Sequence, residues 1–257
     1  MIRVLADASA AFDQRAGVGR YSRNMLDRLC ASPAMRWTLF QAPAGVEPQW
    51  DAPNGARLVR YPLSRRVMDR LGSRMGLPLP VRAFTYRQDV IYSPDFVAPS
   101  LWRTPRIITV HDLAFLTHPH LTTPGTVAFL TATMRREVDR GAHLAAVSET
   151  TRERAIELLG VAPERVRVVR NGVERRFLEA SPLPPGRLDD LGVPREYLLM
   201  VGTIEPRKNH AGVLRAIERH PDGLPLVVVG REGWASADVV ENLRTLSAAG
   251  RVIWLSD

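Results

Sequence analysis

The sequence predicts an α/β protein: a doubly wound parallel sheet with helices on both faces, followed by the first half of a second such unit. Three observations carry this prediction. Short apolar runs alternate with helix-periodic segments from residue 2 to residue 169, the pattern of strands joined by crossover helices. The runs at 89–92 and 107–110 are of the type that a buried strand needs. After a proline-rich break at Ser181-Pro182-Leu183-Pro184-Pro185-Gly186 the alternation restarts.

Each element follows from its residues. Residues 2–6 read as the first strand. A helix follows over 18–29, with Tyr21, Met25, Leu26 and Leu29 at helical spacing. Strands are predicted at 37–40, 57–61, 89–92 and 107–110. Thr123-Pro124 is a helix-start signal for a helix over 126–140. A strand at 144–147 precedes a helix that runs to Leu159, with Thr150 as N-cap, Glu153 completing a capping box and Gly160 as C-cap. A strand at 166–169 closes this half. The prolines after Ser181 cannot continue a helix or a central strand and act as a stiff spacer. The second unit reads as strand 197–201, a loop from Gly202, helix 209–218, strand 226–229, helix 238–248 and strand 252–255. The expected organisation is a first domain over 1–178, a linker over 179–195 and a partial second domain over 196–257. Three strands and two helices are about half of a doubly wound domain of five or six strands.

Composition narrows the function classes. Of 257 residues, 45% are hydrophobic and 24% charged, the balance of a globular protein rather than a disordered one. The one cysteine, Cys30, excludes an internal disulfide framework and fits a reducing compartment. No run approaches the roughly 20 apolar residues of a membrane span, and the N-terminus has no signal-peptide pattern. A cytoplasmic location is therefore expected. The net charge is +8, and Lys208 is the only lysine among 35 basic residues. That excess reflects either arginine-rich composition or an anionic partner. It does not point to nucleic acid, because no nucleic-acid motif or aromatic-basic interleaving accompanies it.

Several motifs at strand ends carry chemistry. Gly17-Val18-Gly19-Arg20-Tyr21 is either a tight turn or a place where backbone N–H groups approach an anion at a helix start. Ser22 takes the place of the third glycine of a dinucleotide fingerprint. His111-Asp112 follows the 107–110 strand. His111 can hydrogen-bond a sugar hydroxyl or phosphate, or act as a base; Asp112 either orients substrate or caps the following turn. His118 and His120 lie nearby, but their spacing matches no strong metal template. Ser148-Glu149 either lines a cleft or starts a helix. In Gly202-Thr203-Ile204-Glu205-Pro206-Arg207-Lys208-Asn209, Arg207 and Lys208 stand where a helix N-terminus already favours phosphate. Glu205 is placed to anchor that loop. The stretch 65–75 mixes arginines with Val67, Leu71 and Met75. As a helix it is either a solvated face over core contacts or a surface for an anionic bilayer.

Together these residues resemble the family 4 glycosyltransferases of the two-domain GT-B fold, particularly the bacterial mannosyltransferase-like group. The resemblance rests on Gly17–Tyr21, on Thr109-Val110-His111-Asp112-Leu113-Ala114-Phe115-Leu116, on Val147-Ser148-Glu149, on Arg170-Asn171-Gly172-Val173 and on the run from Val201 to Asn209. It implies a metal-independent, retaining transfer of a hexose, mannose first, from a nucleotide-sugar donor. GDP-mannose is the favoured donor, and the acceptor is a glycan or lipid-linked chain of cell-surface polysaccharide synthesis. Neither a cofactor nor a metal is expected. By resemblance Arg207 and Lys208 lie at the donor diphosphate, His111 lies against the donor sugar, and Gly17 to Gly19 close over the phosphate and acceptor side. His111 and Asp112 are the catalytic candidates. Gly202, Thr203, Glu205, Asn209, Ser148 and Glu149 are candidates for the donor or acceptor cleft.

The chain departs from the family pattern twice. Thr203 replaces an arginine that many relatives have, and the glutamate pair expected later in the second domain does not occur before Asp257. The resemblance thus implies a C-terminally truncated chain. The competing reading is a catalytically incompetent fragment that only binds acceptor or membrane, with peripheral contact at the inner membrane face.

Overall fold

The computed structural model describes residues 1–15, 17–42, 50–61, 87–98, 104–184 and 186–256. The basic-apolar stretch 65–75 lies outside them. The described chain forms two compact units, Met1–Pro119 with Thr123–Gly172, and Val173–Asp257 with His120–Thr122. The division at Gly172 falls ahead of the proline-rich break, and within 179–195 the structure has one helical turn, Arg187–Asp190.

The first unit is a seven-stranded sheet. Its strands are β1 (Ile2–Asp7), β2 (Met35–Gln41), β3 (Arg57–Arg60), β4 (Val90–Ser93), β5 (Arg106–Val110), β6 (His143–Ala146) and β7 (Val166–Val168). The order is β3-β2-β1-β4-β5-β6-β7, and every pairing is parallel. The order reverses direction between β1 and β4, and such a switch point opens a crevice at the strands' carboxyl ends.

Strand periodicity divides the core into two layers. On one face lie Val4, Ala6, Trp37, Leu39 and Tyr92. The intervening Leu5, Phe40 and Ile91 lie on the other with Ile108, Val110 and Leu144. Leu26 and Cys30 of helix α2 (Gly17–Cys30), which follows the short α1 (Ser9–Asp13), cover the first face. The second is covered by Met134 and Val138 of α4 (Pro124–Asp139) and by Ala155 of α5 (Glu149–Leu159). A one-turn helix, α3 (Ala114–Thr117), precedes α4. Glu137 of α4 is buried and accepts from Arg106 Nη1 at 2.6 Å, which ties α4 to the start of β5.

Helix ends follow local chemistry. Thr123 caps α4, accepting from Thr126 N–H at 3.3 Å. At α5 the cap is Ser148, which accepts from Thr151 N–H at 3.1 Å, so the Thr150 capping box is corrected by two residues. Gly160 ends α5 with φ 65°.

The second unit begins with two single-turn helices, α6 (Arg175–Leu178) and α7 (Arg187–Asp190). Three parallel strands follow, β8 (Leu198–Val201), β9 (Leu226–Val229) and β10 (Val252–Leu255), in the order β10-β9-β8. Leu214 and Ile217 of α8 (His210–Arg219) join Val240, Leu243 and Leu246 of α9 (Ala237–Ala248) over Leu226, Val228 and Val252. That is a separate hydrophobic core.

Candidate functional site

In the first unit the polar groups gather where β4 and β5 end. Tyr92 pairs with Ile107 in the sheet register, so Thr109 and then His111 follow on the same face at intervals of two. His111 is half-buried. Its Nε2 lies 2.9 Å from the Pro94 carbonyl oxygen; since a carbonyl only accepts, Nε2 carries the proton. The Tyr21 ring stands edge-on to the imidazole at 4.8 Å and 89°, and Phe96 at 6.0 Å and 78°. The Ser93 hydroxyl reaches the Asp95 carbonyl at 2.7 Å and the Val97 carbonyl at 2.5 Å, closing the turn that presents Pro94. Asp112 is exposed, and its Oδ1 accepts from Ala114 N–H at 3.0 Å, which closes the turn that leads into α3.

The glycine motif is not a loop. Gly17 and Gly19 form the first turn of α2. A Cβ at Gly19 would meet the Gln14 carbonyl oxygen at 1.9 Å, while one at Gly17 meets nothing within 4 Å. Close backbone packing therefore accounts for Gly19 without a ligand. Ser148 is a helix cap and Glu149 is an exposed first-turn residue of α5.

In the second unit the basic run leaves the carboxyl end of β8. Gly202 N–H donates to Val229 O at 2.9 Å, Ile204 N–H to Arg231 O at 3.0 Å and Gly233 N–H to Ile204 O at 3.1 Å. The run is thereby laced to the loop after β9. Glu205 accepts from Arg207 Nη2 at 3.0 Å, so it anchors the loop through an arginine. Lys208 is exposed, and its Cδ and Cε fold back across Gly202, 3.9 and 3.8 Å from where a Cβ would stand. Thr203 is half-buried beside them. Asn209 takes a left-handed conformation, φ 55°, and its side chain accepts from Gly212 N–H at 3.2 Å, capping α8. His210 is 2% exposed and neither ring nitrogen has a partner among the described residues. Burial is the main cause that pushes its imidazole below the ordinary 6.5; Glu205 opposes this, and Lys208 adds to it.

Thus His111 comes together with Tyr21, and Gly202, Glu205, Arg207 and Lys208 share one loop. Ser148 and Asn209 cap helices, and Asp112 bonds the turn ahead of α3. Sequence reading passed over Tyr92, Ser93, Pro94, Phe96 and His210. The signal for the first four was the placement of their segment at the end of a buried strand. Among the described residues no three His, Cys, Asp or Glu side chains are grouped to hold a metal ion. No helix among them is long and apolar enough to cross a membrane. Burial pushes the Cys30 thiol up to about 11, so it stays protonated at neutral pH.

Residues 15–177 match the profile of Glycosyltransferase Family 4. The chain belongs to that family. It is 27% identical over 238 residues to the O-antigen chain mannosyltransferase B of Escherichia coli, which covers 85% of this chain and 61% of that protein. The chain thus spans about three fifths of the length of this relative. Among solved structures it is similar to Anabaena Alr3699/HepE in complex with UDP-glucose, with a TM-score of 0.65 and 18% identity, over 100% of this chain and 69% of that one. It is also similar to WaaG, a glycosyltransferase involved in lipopolysaccharide biosynthesis, with a TM-score of 0.61 and 14% identity, over 99% of this chain and 70% of that one. The fold of this family 4 chain is α/β of the GT-B type.

Proposed function

We propose that the chain acts as a retaining hexosyltransferase that moves mannose from a nucleotide-sugar donor, GDP-mannose first, to a glycan or lipid-linked acceptor in cell-surface polysaccharide synthesis. The observation that carries the reading is Lys208. The only lysine of the chain folds back over Gly202 at the carboxyl end of β8, beside Arg207 and one residue before the Asn209 cap of α8. A departing nucleoside diphosphate gains negative charge, and a fixed cation beside a helix N-terminus stabilises that charge without reorganising. Arg207 is held to Glu205, so of these two cations Lys208 is the one without an ion pair among the described residues. His111 offers an imidazole to a sugar hydroxyl. The mannosyltransferase from Escherichia coli supports mannose, while the UDP-glucose complex of the Anabaena protein makes UDP-glucose the second donor to try. No cofactor or metal is needed in this reading, and the single cysteine suits a cytoplasmic enzyme working at the inner membrane face.

The test is transfer by a full-length protein from GDP-mannose and UDP-glucose, with calorimetric titration of GDP and UDP. Lys208→Ala is expected to weaken diphosphate binding by about 1–3 kcal/mol. Arg207→Ala is expected to cost less, because its charge is shared with Glu205. Absence of transfer with every donor, together with unchanged diphosphate affinity in Lys208→Ala, overturns the proposal and favours a non-catalytic binding module.

A further inference from the structure

His111 has contacts on several sides that leave one nitrogen uncommitted. Pro94 O holds Nε2, the Tyr21 and Phe96 rings stand edge-on to the imidazole, and Nδ1 has no hydrogen bond among the described residues. The turn that presents the Pro94 carbonyl is closed from within by the buried Ser93 hydroxyl. Beyond the imidazole, the Tyr21 hydroxyl lies near two buried hydroxyls. That hydroxyl, the Tyr92 hydroxyl and the Thr109 hydroxyl lie next to one another, and none has a hydrogen-bonding partner among the described residues. Tyr92 is 8% exposed and Thr109 fully buried. Burial, first among the causes, raises the Tyr92 hydroxyl well above its ordinary range, so it remains a donor.

We propose that Tyr21 is a positioning residue for His111: its ring, edge-on to the imidazole at 4.8 Å, holds the imidazole with Nε2–H on Pro94 and presents Nδ1 as a hydrogen-bond acceptor to a sugar hydroxyl. The role of Nδ1 rests on the transferase reading; the orientation of the ring does not. A ring free to turn over exchanges its two nitrogens between Pro94 and the substrate side. An imidazole whose tautomer is set by a backbone carbonyl offers one acceptor in one direction. A sugar hydroxyl placed there donates its proton to Nδ1 and leaves its oxygen lone pairs available elsewhere. Misplacing such a contact costs rate more than affinity.

The experiment has two arms. In the first, the 257-residue chain is labelled with nitrogen-15 histidine, and imidazole long-range correlations are recorded, with His111→Gln assigning the signal. The Nε2–H tautomer is expected in the wild type, a mixture in Tyr21→Ala and Tyr21→Leu, and recovery in Tyr21→Phe, which keeps the ring. The other five of the six histidines report whether each variant is folded; Tyr21→Leu, which fills more of the space, serves should Tyr21→Ala unfold. An Nδ1–H wild type, or an unchanged tautomer in Tyr21→Leu, overturns the proposal. In the second arm the full-length enzyme is assayed. Tyr21→Leu is expected to lower kcat by about 10- to 100-fold at nearly constant KM, and Tyr21→Phe to restore most of it. Unchanged kcat overturns the positioning role. A wild type without transfer activity counts against the transferase reading, and the first arm still decides the orientation.

Discussion

A methyl group added at Gly19 stands 1.9 Å from the Gln14 carbonyl oxygen, whereas one added at Gly17 meets nothing within 4 Å. Gly19→Ala should therefore destabilise the first unit by about 1–3 kcal/mol through forced backbone movement. Gly17→Ala should be neutral or stabilise by up to about 1 kcal/mol, because alanine suits a helix better than glycine. Urea denaturation midpoints of the two variants check this; equal midpoints contradict it. His210 gives a pH dependence whose sign is fixed by its burial. Its folded pKa lies below the ordinary 6.5. Above 6.5 both folded and unfolded states are neutral and the stability contribution is complete. As pH falls through 6.5 toward the lower folded value, the unfolded chain binds a proton that the folded one resists, and stability is lost. Denaturation of the second unit at pH 8 and pH 5 should show this loss. His210→Leu should flatten it.

The loop after β9 is a structural partner of the basic run. Gly230 has φ 156°, and a Cβ there would meet the Gly202 carbonyl oxygen at 2.1 Å; at Gly233 the Ile204 carbonyl oxygen lies 2.5 Å away. Gly230→Ala should push the two loops apart, lower the stability of the second unit by about 2 kcal/mol or more, and weaken diphosphate binding although residue 230 offers no charge. Calorimetric titration beside thermal unfolding checks both effects, and an unfolding temperature equal to that of the wild type contradicts the first. The lacing of residues 202–204 to 229–233 is invisible as a motif. It joins segments about one strand-helix unit apart and acts through backbone atoms, which leave only glycines as their mark in the sequence.

Across the molecule, the two units have separate cores. Binding to the folded state alone stabilises what the ligand touches, by about 2.7 kcal/mol at 100 times Kd. Hydrogen exchange with saturating GDP or UDP should therefore slow at residues 202–210 and 230–233 far more than in β1 to β3. Uniform slowing, or none, contradicts the placement of the diphosphate at Lys208.

Among the described residues all ten strands and the five longer helices were legible from apolar runs and periodicity, because burial on both faces of a parallel sheet writes itself directly into residue type. Lys208 and His111 were legible as candidates, since each follows a strand that ends at a carboxyl edge. The cap of α5 was misjudged because Ser148, Thr150 and Thr151 are chemically alike, and backbone direction alone selects Ser148. The surroundings of His111 were not legible. Tyr21, Pro94 and Phe96 reach it from a helix and a turn distant in sequence, and no spacing rule records which nitrogen a carbonyl will hold. Order, period and charge along the chain thus determined the fold class and the candidates for the chemistry. Which glycines pack against the neighbouring loop and how the imidazole faces were decided only when the strands aligned, because those are contacts between segments that the chain itself keeps apart.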